Sequence, residues 1–218
     1  MQPYYQDSLI TLYHGDARDI VPQLRDVDCI ITDPVWPNVP PGLYAGSDDP
    51  YGLFADVAAH FPRLAQRVAV VLGCNSDPRF LSAVPVALPF LRVCWLEYSL
   101  PGHRGRLLYS GDVAYVYGTW PAARPGNQVF PGRSPKAQPH KHYRDGHPTP
   151  RAYEHMRWLV GQYARGPVLD PFCGGGTTLH ACKDLGIPAI GIEIDERYCE
   201  AAARSLSQEV MTFESETA

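Results

Sequence analysis

The sequence predicts an α/β protein whose mostly parallel central sheet is flanked by helices. Short apolar runs alternate along the chain with stretches whose apolar residues recur at helical spacing, the pattern of strands joined by crossover helices. Two of the runs, Cys29-Ile30-Ile31-Thr32 and Pro167-Val168-Leu169, lead directly into turns that carry an Asp-Pro pair. The second turn continues through Gly174-Gly175-Gly176 into a helical stretch, a strand–turn–helix unit whose backbone can approach a ligand closely.

Taken in order, Cys29-Ile30-Ile31-Thr32 reads as a buried strand and 51–64 as a helix. The apolar run 68–72 is the next strand, 79–88 a short helix, and 91–96 another strand. The segment 112–117 alternates and reads as a strand with an aromatic face. From Trp120 to His147 periodicity vanishes, and proline, glycine and basic residues dominate. The stretch 119–146 therefore reads as a long loop, and loops of that length in compact domains are usually functional or disordered. Order returns at Pro150, with a helix over 153–164 carrying His155, Met156, Leu159, Val160 and Tyr163 on its apolar positions. A strand at 167–169, a helix at 177–185, a strand at 189–193 and a helix at 196–206 complete the chain. A single domain over 1–206 is expected, with an acidic, frayed tail at 207–218.

The 218 residues, 45% of them apolar and 19% charged, suit one domain with a substantial core. No apolar run approaches the ~18–20 residues of a membrane span. The opening Met1-Gln2-Pro3-Tyr4-Tyr5-Gln6-Asp7 lacks the basic-then-apolar layout of a secretion signal, so a cytoplasmic protein without a membrane partner is expected. Six cysteines are scattered without C-x-x-C pairs, which reads as reduced thiols; no metal site is expected. A net charge of −4 argues against indiscriminate coating of nucleic acid. Yet between Val113 and Tyr153 six basic residues face a single acid, Asp145, so a local patch can grip a phosphate backbone. A solvated loop is the alternative.

The strand–glycine turn–helix–strand order ends on an acid, Glu193, placed to accept hydrogen bonds from ribose hydroxyls. No Lys-Ser/Thr follows the glycines, which disfavours a triphosphate loop and leaves a dinucleotide or S-adenosylmethionine. At this level both remain open.

Asp170-Pro171-Phe172-Cys173-Gly174-Gly175-Gly176-Thr177-Thr178 resembles the Asp-Pro-Phe-x-Gly-x-Gly-Thr-Thr signature of beta-class DNA amino-methyltransferases, and Gly191-Ile192-Glu193-Ile194-Asp195 is similar to their ribose-binding strand. Thr32-Asp33-Pro34-Val35-Trp36 resembles their catalytic Asp-Pro-Pro-aromatic motif, with Val35 where a second proline is usual. The catalytic motif precedes the cofactor loop, the permuted order of that class. Further similarity lies in His14-Gly15-Asp16-Ala17 and in His147-Pro148-Thr149-Pro150-Arg151, where the family pattern is His-Pro-Thr-x-Lys-Pro. The resemblance runs from about Leu12 to Leu206.

It implies a Rossmann-like S-adenosylmethionine-dependent methyltransferase fold with permuted motif order. Asp16 and the Ala17 amide would read the cofactor's adenine edge, and Glu193 with Ile194 its ribose. Phe172, Gly174 and Thr177 would line the methionine end, with Asp170 near the amino group and Thr149 near the carboxylate. Asp33, His147, Cys173, Gly176 and Thr178 complete the implied cofactor set. The bland readings are helix caps for Asp16 and Thr178, and turn residues for His147 and Thr149.

For the chemistry, Asp33 and the Pro34 carbonyl would hold the two N–H groups of an exocyclic amine, and Trp36 would offer a flat face to a flipped base. The aspartate-first motif leans towards adenine N6; cytosine N4, RNA, or a silent cofactor- and DNA-binding protein are the alternatives. Lacking a large recognition domain, the chain resembles stand-alone or phage-borne members more than full restriction–modification partners. Arg124, Arg133, Lys136, Lys141 and Arg144 would grip DNA phosphates without reading sequence. A homodimer is the expected assembly, acting on the nucleoid.

Overall fold

A computed structural model of the chain describes residues 1–104, 106–123, 133 and 151–208. Its strands are β1 (Tyr5–Gln6), β2 (Ile10–His14), β3 (Cys29–Thr32), β4 (Arg67–Gly73), β5 (Phe90–Arg104), β6 (Leu107–Gly118), β7 (Val168–Asp170) and β8 (Ala189–Glu193). The α-helices are α1 (Ala17–Ile20), α2 (Pro50–Ala58), α3 (Phe61–Leu64), α4 (Tyr153–Tyr163), α5 (Thr177–Asp184) and α6 (Glu196–Leu206), with 3-10 turns at Val21–Gln23 and Pro78–Ala83. None of the described helices is long and apolar enough to cross a membrane.

All eight strands form one sheet in the order β1-β2-β8-β7-β3-β4-β6-β5. The five central strands, β2 to β4 in that order, are parallel, whereas β1, β6 and β5 pair antiparallel at the two sides. Side chains leave a strand alternately on opposite faces, and β4 shows the consequence of burial on both. Ala69 and Val71 join one core with Met156, Leu159, Leu179 and Cys199 from α4, α5 and α6. Val68, Val70 and Leu72 join the other with Ile20, Phe54 and Phe61 from α1, α2 and α3.

Topology positions the site. β7 returns from the end of the chain to pair with β3, Cys29 opposite Val168 and Ile30 opposite Leu169. The two Asp-Pro turns consequently leave adjacent parallel strands at the same edge. In open α/β sheets that carboxyl edge, where strand order reverses, is where ligands bind.

The opposite edge is tied by charge. Asp28, just before β3, pairs with Arg67 at the start of β4 and accepts the Arg165 and Gly166 amides at 2.5 and 3.2 Å. The Arg67 Nε donates to the Tyr163 carbonyl at 3.0 Å. Arg67 is 5% exposed, so its removal strands a carboxylate whose solvation is already restricted. Arg67→Met is therefore expected to lower unfolding free energy by about 3 kcal/mol, read from urea denaturation midpoints at constant slope.

Candidate active site

The carboxyl ends of β2, β8, β7 and β3 open into a cavity of about 700 Å³. That volume lies within the range of small-molecule and cofactor sites. One part is lined by Asp16, Ala17, Glu193 and Ile194, the middle by the turn after β7, and another part by Asp33, Pro34, Trp36 and Arg151.

The glycine turn is held by its own geometry. Gly174 and Gly176 take left-handed φ values of 51° and 84°, and the Gly176 amide donates to the Cys173 carbonyl at 2.8 Å. α5 then starts at Thr177, with Gly176 as its cap. The turn also presses on β8: a Cβ on Gly191 would lie 2.6 Å from Leu179 Cδ1 and 2.9 Å from Cys173 Sγ.

Glu193 reaches back to this turn, accepting the Gly174 amide on Oε2 at 2.9 Å and the Asp195 amide on Oε1 at 2.8 Å. Burial raises its pKa. Each carboxylate oxygen keeps a second lone pair, so a ribose diol fits this donor set. Asp16 caps α1 through the Arg18 amide at 2.8 Å and is ion-paired with the Arg18 side chain, whose hydrogen bond lowers its pKa. Ala17 is buried behind it, and Ile194, next to Glu193, is 45% exposed at the rim. The lining as a whole fits a nucleoside joined to an amino acid.

Asp170 is 2% exposed, and its hydrogen-bond donors among the described residues are neutral. It accepts from the Thr32 hydroxyl at 3.0 Å, the Thr178 hydroxyl at 2.6 Å and the Phe172 amide at 3.2 Å. Burial pushes its pKa up to about 7. The carboxylate thus straps β3, β7 and α5 together beneath the cavity. Thr178 serves as a strut rather than as the cap of its helix, and Thr177 faces the cavity. Cys173 is buried and its thiol is held far above the ordinary range by desolvation, consistent with packing rather than nucleophilic attack.

Asp33 follows β3 and has both oxygens engaged. Oδ1 accepts the Trp36 indole N–H at 2.7 Å, and Oδ2 accepts Arg151 Nε at 2.5 Å. Burial raises the Asp33 pKa to about 6, against the lowering pull of Arg151.

An open stacking face on Trp36 is not what the structure has. The indole is 6% exposed, its N–H also reaches the Val71 carbonyl at 3.2 Å, and the Arg151 guanidinium lies 4.2 Å over its ring. A buried indole needs an acceptor for its N–H, and satisfying it turns the ring into the wall. Gly73 makes the room, since a Cβ there would sit 2.6 Å from the ring.

Four residues that sequence reasoning left out complete this end. Arg151 also donates Nη1 to Asp112 Oδ2 at 3.1 Å, and Asp112 accepts the hydroxyls of Tyr98 and Tyr109, the latter at 2.6 Å. Arg151 could have been found from its place in the His-Pro-Thr-x-Lys-like block; Asp112 was visible only as an acid at the start of an apolar strand. Of the residues read as DNA contacts, Arg133 is exposed and pairs with Glu97 of β5 at 3.1 Å. Arg124, Lys136, Lys141 and Arg144 lie outside the described residues, as do His147 and Thr149.

A carboxylate at the end of β3 and a glycine turn after β7 thus share one cavity at the carboxyl edge of the sheet. The family model described as DNA methylase, for N6 and N4 methyltransferases, matches residues 76–204, and the chain belongs to that family. It is 39% identical over 82 residues to the type II methyltransferase M.HpaI of Haemophilus parainfluenzae, covering 35% of this chain and 26% of that protein. With the type II methyltransferase M.SmaI of Serratia marcescens it shares 43% over 53 residues, 24% of this chain and 18% of that one. The matched stretches thus span about a quarter or less of these relatives. Among solved structures it is similar to an M1.HpyAVI–SAM complex, at TM-score 0.69 and 26% identity, over 92% of this chain and 100% of that one. The fold is shared with PvuII DNA methyltransferase (cytosine-N4-specific), TM-score 0.75 at 13% identity, over 97% and 91% of the two chains.

Trp36→Phe keeps the ring under Arg151 but removes the N–H shared by Asp33 and Val71. It is expected to destabilise the fold by about 1–2 kcal/mol, measured by chemical denaturation.

Proposed function

We propose that this chain transfers a methyl group from S-adenosylmethionine to the exocyclic amino group of adenine, N6, in DNA. The observation that carries the reading is the single cavity shared by Asp33 and the glycine turn. Family membership and the likeness to a SAM complex support the cofactor. S-adenosylmethionine supplies the methyl group when bound.

The nitrogen to be methylated is a poor nucleophile because its lone pair is delocalised into the base. Holding both N–H groups makes it more tetrahedral. The Asp33 carboxylate and the Pro34 carbonyl serve as the two acceptors, and the carboxylate stabilises positive charge as it develops on nitrogen. Charged hydrogen bonds of this kind are worth about 1.5–3 kcal/mol each, so positioning must supply much of the remaining acceleration. Trp36 contributes by orienting Asp33 through its indole N–H.

In the cofactor part, Asp16 and the Ala17 amide face the adenine, and Glu193 with Ile194 the ribose. Phe172, Cys173, Gly174, Gly176 and Thr177 shape the turn around the methionine end, over the Asp170–Thr178 strut; His147 and Thr149 belong to the same proposal. The basic residues Arg124, Arg133, Lys136, Lys141 and Arg144 hold DNA phosphates, with Arg133 exchanging Glu97 for the backbone. The aspartate-first motif supports adenine over cytosine. Dimerisation and a place on the nucleoid complete the proposal.

Asp33→Ala is expected to cut methyl incorporation by about 10²–10³-fold, while S-adenosylmethionine binding, followed by calorimetry, changes little. Incorporation at the wild-type rate would overturn the assignment of Asp33.

A further inference from the structure

Arg151 stands between two carboxylates on different elements. Nε meets Asp33, at the end of β3, at 2.5 Å, and Nη1 meets Asp112, on β6, at 3.1 Å. The arginine and Asp33 side chains are 15% and 20% exposed, that of Asp112 only 3%. Tyr98 from β5 and Tyr109 from β6 donate their hydroxyls to Asp112, and the two rings stack with centroids 6.1 Å apart. Trp36 closes the remaining side beneath the guanidinium. Both carboxylates and the ring face orient the one cation, while Asp112 is itself fixed by two phenols.

A planar fork suits this place in a way that an ammonium does not. Arginine can address two carboxylates through separate N–H groups while lying flat on an indole, whereas lysine offers a point charge. The arginine that stands here serves both carboxylates, Asp33 and Asp112, at once.

We propose that Arg151, held in place by Asp112, Tyr98 and Tyr109, is a positioning residue that keeps Asp33 ionised and aimed at the amino group of the target base. The inference rests on the reading of Asp33 as the amine acceptor. A protonated Asp33 would present one hydroxyl and lose the charge that the developing ammonium needs. Burial works towards that protonated form, raising the Asp33 pKa to about 6; Arg151 opposes it and Asp112 adds to it. Among the described residues, the charged groups acting on Asp33 are Arg151 before α4 and Asp112 on β6; Tyr98 on β5 and Tyr109 on β6 surround that pair, and Asp170 on β7 has its own pKa raised in part by Asp33. Removing the cation and removing the second carboxylate must therefore move Asp33 in opposite directions.

Two readouts test this. In pH–rate profiles of methyl transfer, the acid limb is expected to move up by about one unit or more in Arg151→Met, so that the rate on that limb falls about tenfold and recovers at higher pH. Asp112→Asn should move the limb down, with a lower kcat and an unchanged KM for S-adenosylmethionine. Arg151→Lys should restore most of the limb position but not the full kcat. The second readout needs no activity: the 13C carboxyl titration of Asp33 in labelled protein should show the same opposed shifts. Asp112→Asn retains the arginine, so a poorly folded Arg151→Met chain leaves the test decidable. Identical Asp33 midpoints in wild type and variants, or losses of rate with no movement of the limb, would overturn the inference. Absence of methyl transfer by the wild type would instead count against the proposed function, with the carboxyl titration still deciding the role of Arg151.

Discussion

For the proposed reaction, a carboxylate that has to stay charged inside a cavity is the constraint on which this site depends. Burial of Asp33 in the cavity wall favours its neutral form, and a cation beside it opposes that. Arg151 meets that need from a distant part of the chain, and it is itself held by Asp112 and by the face of Trp36. The same contacts explain why Gly73 has no side chain: any Cβ there would collide with both the indole and the Tyr109 hydroxyl. Rigidity at this end comes from interlocked demands, each group satisfying another that would be costly to leave unpaired.

The other half of the arrangement is topological. Inserting β7 beside β3 brings the two Asp-Pro turns together, although their aspartates, Asp33 and Asp170, stand 137 positions apart in the sequence. Asp170 fastens that junction by accepting hydroxyls from Thr32 and Thr178. One aspartate therefore serves the scaffold, and in the proposed reaction the other faces the chemistry. Asp170 is the more deeply buried, and their partners differ: a guanidinium and an indole N–H for Asp33, two hydroxyls and an amide for Asp170. Burial raises the pKa of both, opposed at Asp33 by the guanidinium and at Asp170 by its neutral donors.

Much of the parallel centre was legible in the sequence because local signals agreed there. Continuous apolar runs marked β3 and β4, and turn chemistry with helical spacing marked the β7–α5–β8–α6 succession. The β1–β2 pair was missed, since two- and five-residue strands with mixed burial carry little periodic signal. β5 and β6 run well past the expected 91–96 and 112–117, through Pro101 and Gly102, because pairing with each other outweighs local preference. The expected helix at 51–64 divides at Ala59 and His60, with Pro62 opening α3. In the site, the motif residues were readable as motifs, but the closing of Trp36 by Arg151 was not. It depends on a contact spanning 118 positions, between a turn and a segment read for its likeness to the family's His-Pro-Thr block.

The most direct test of the account is the chemical identity of the product. Purified protein would be incubated with tritiated S-adenosylmethionine and unmethylated genomic DNA, and the DNA digested to nucleosides and separated. The account predicts label in N6-methyladenine. Label in N4-methylcytosine would retain the amine chemistry and reverse the choice of base. Label in 5-methylcytosine, or no label in DNA from a protein that binds the cofactor, would contradict the central claim.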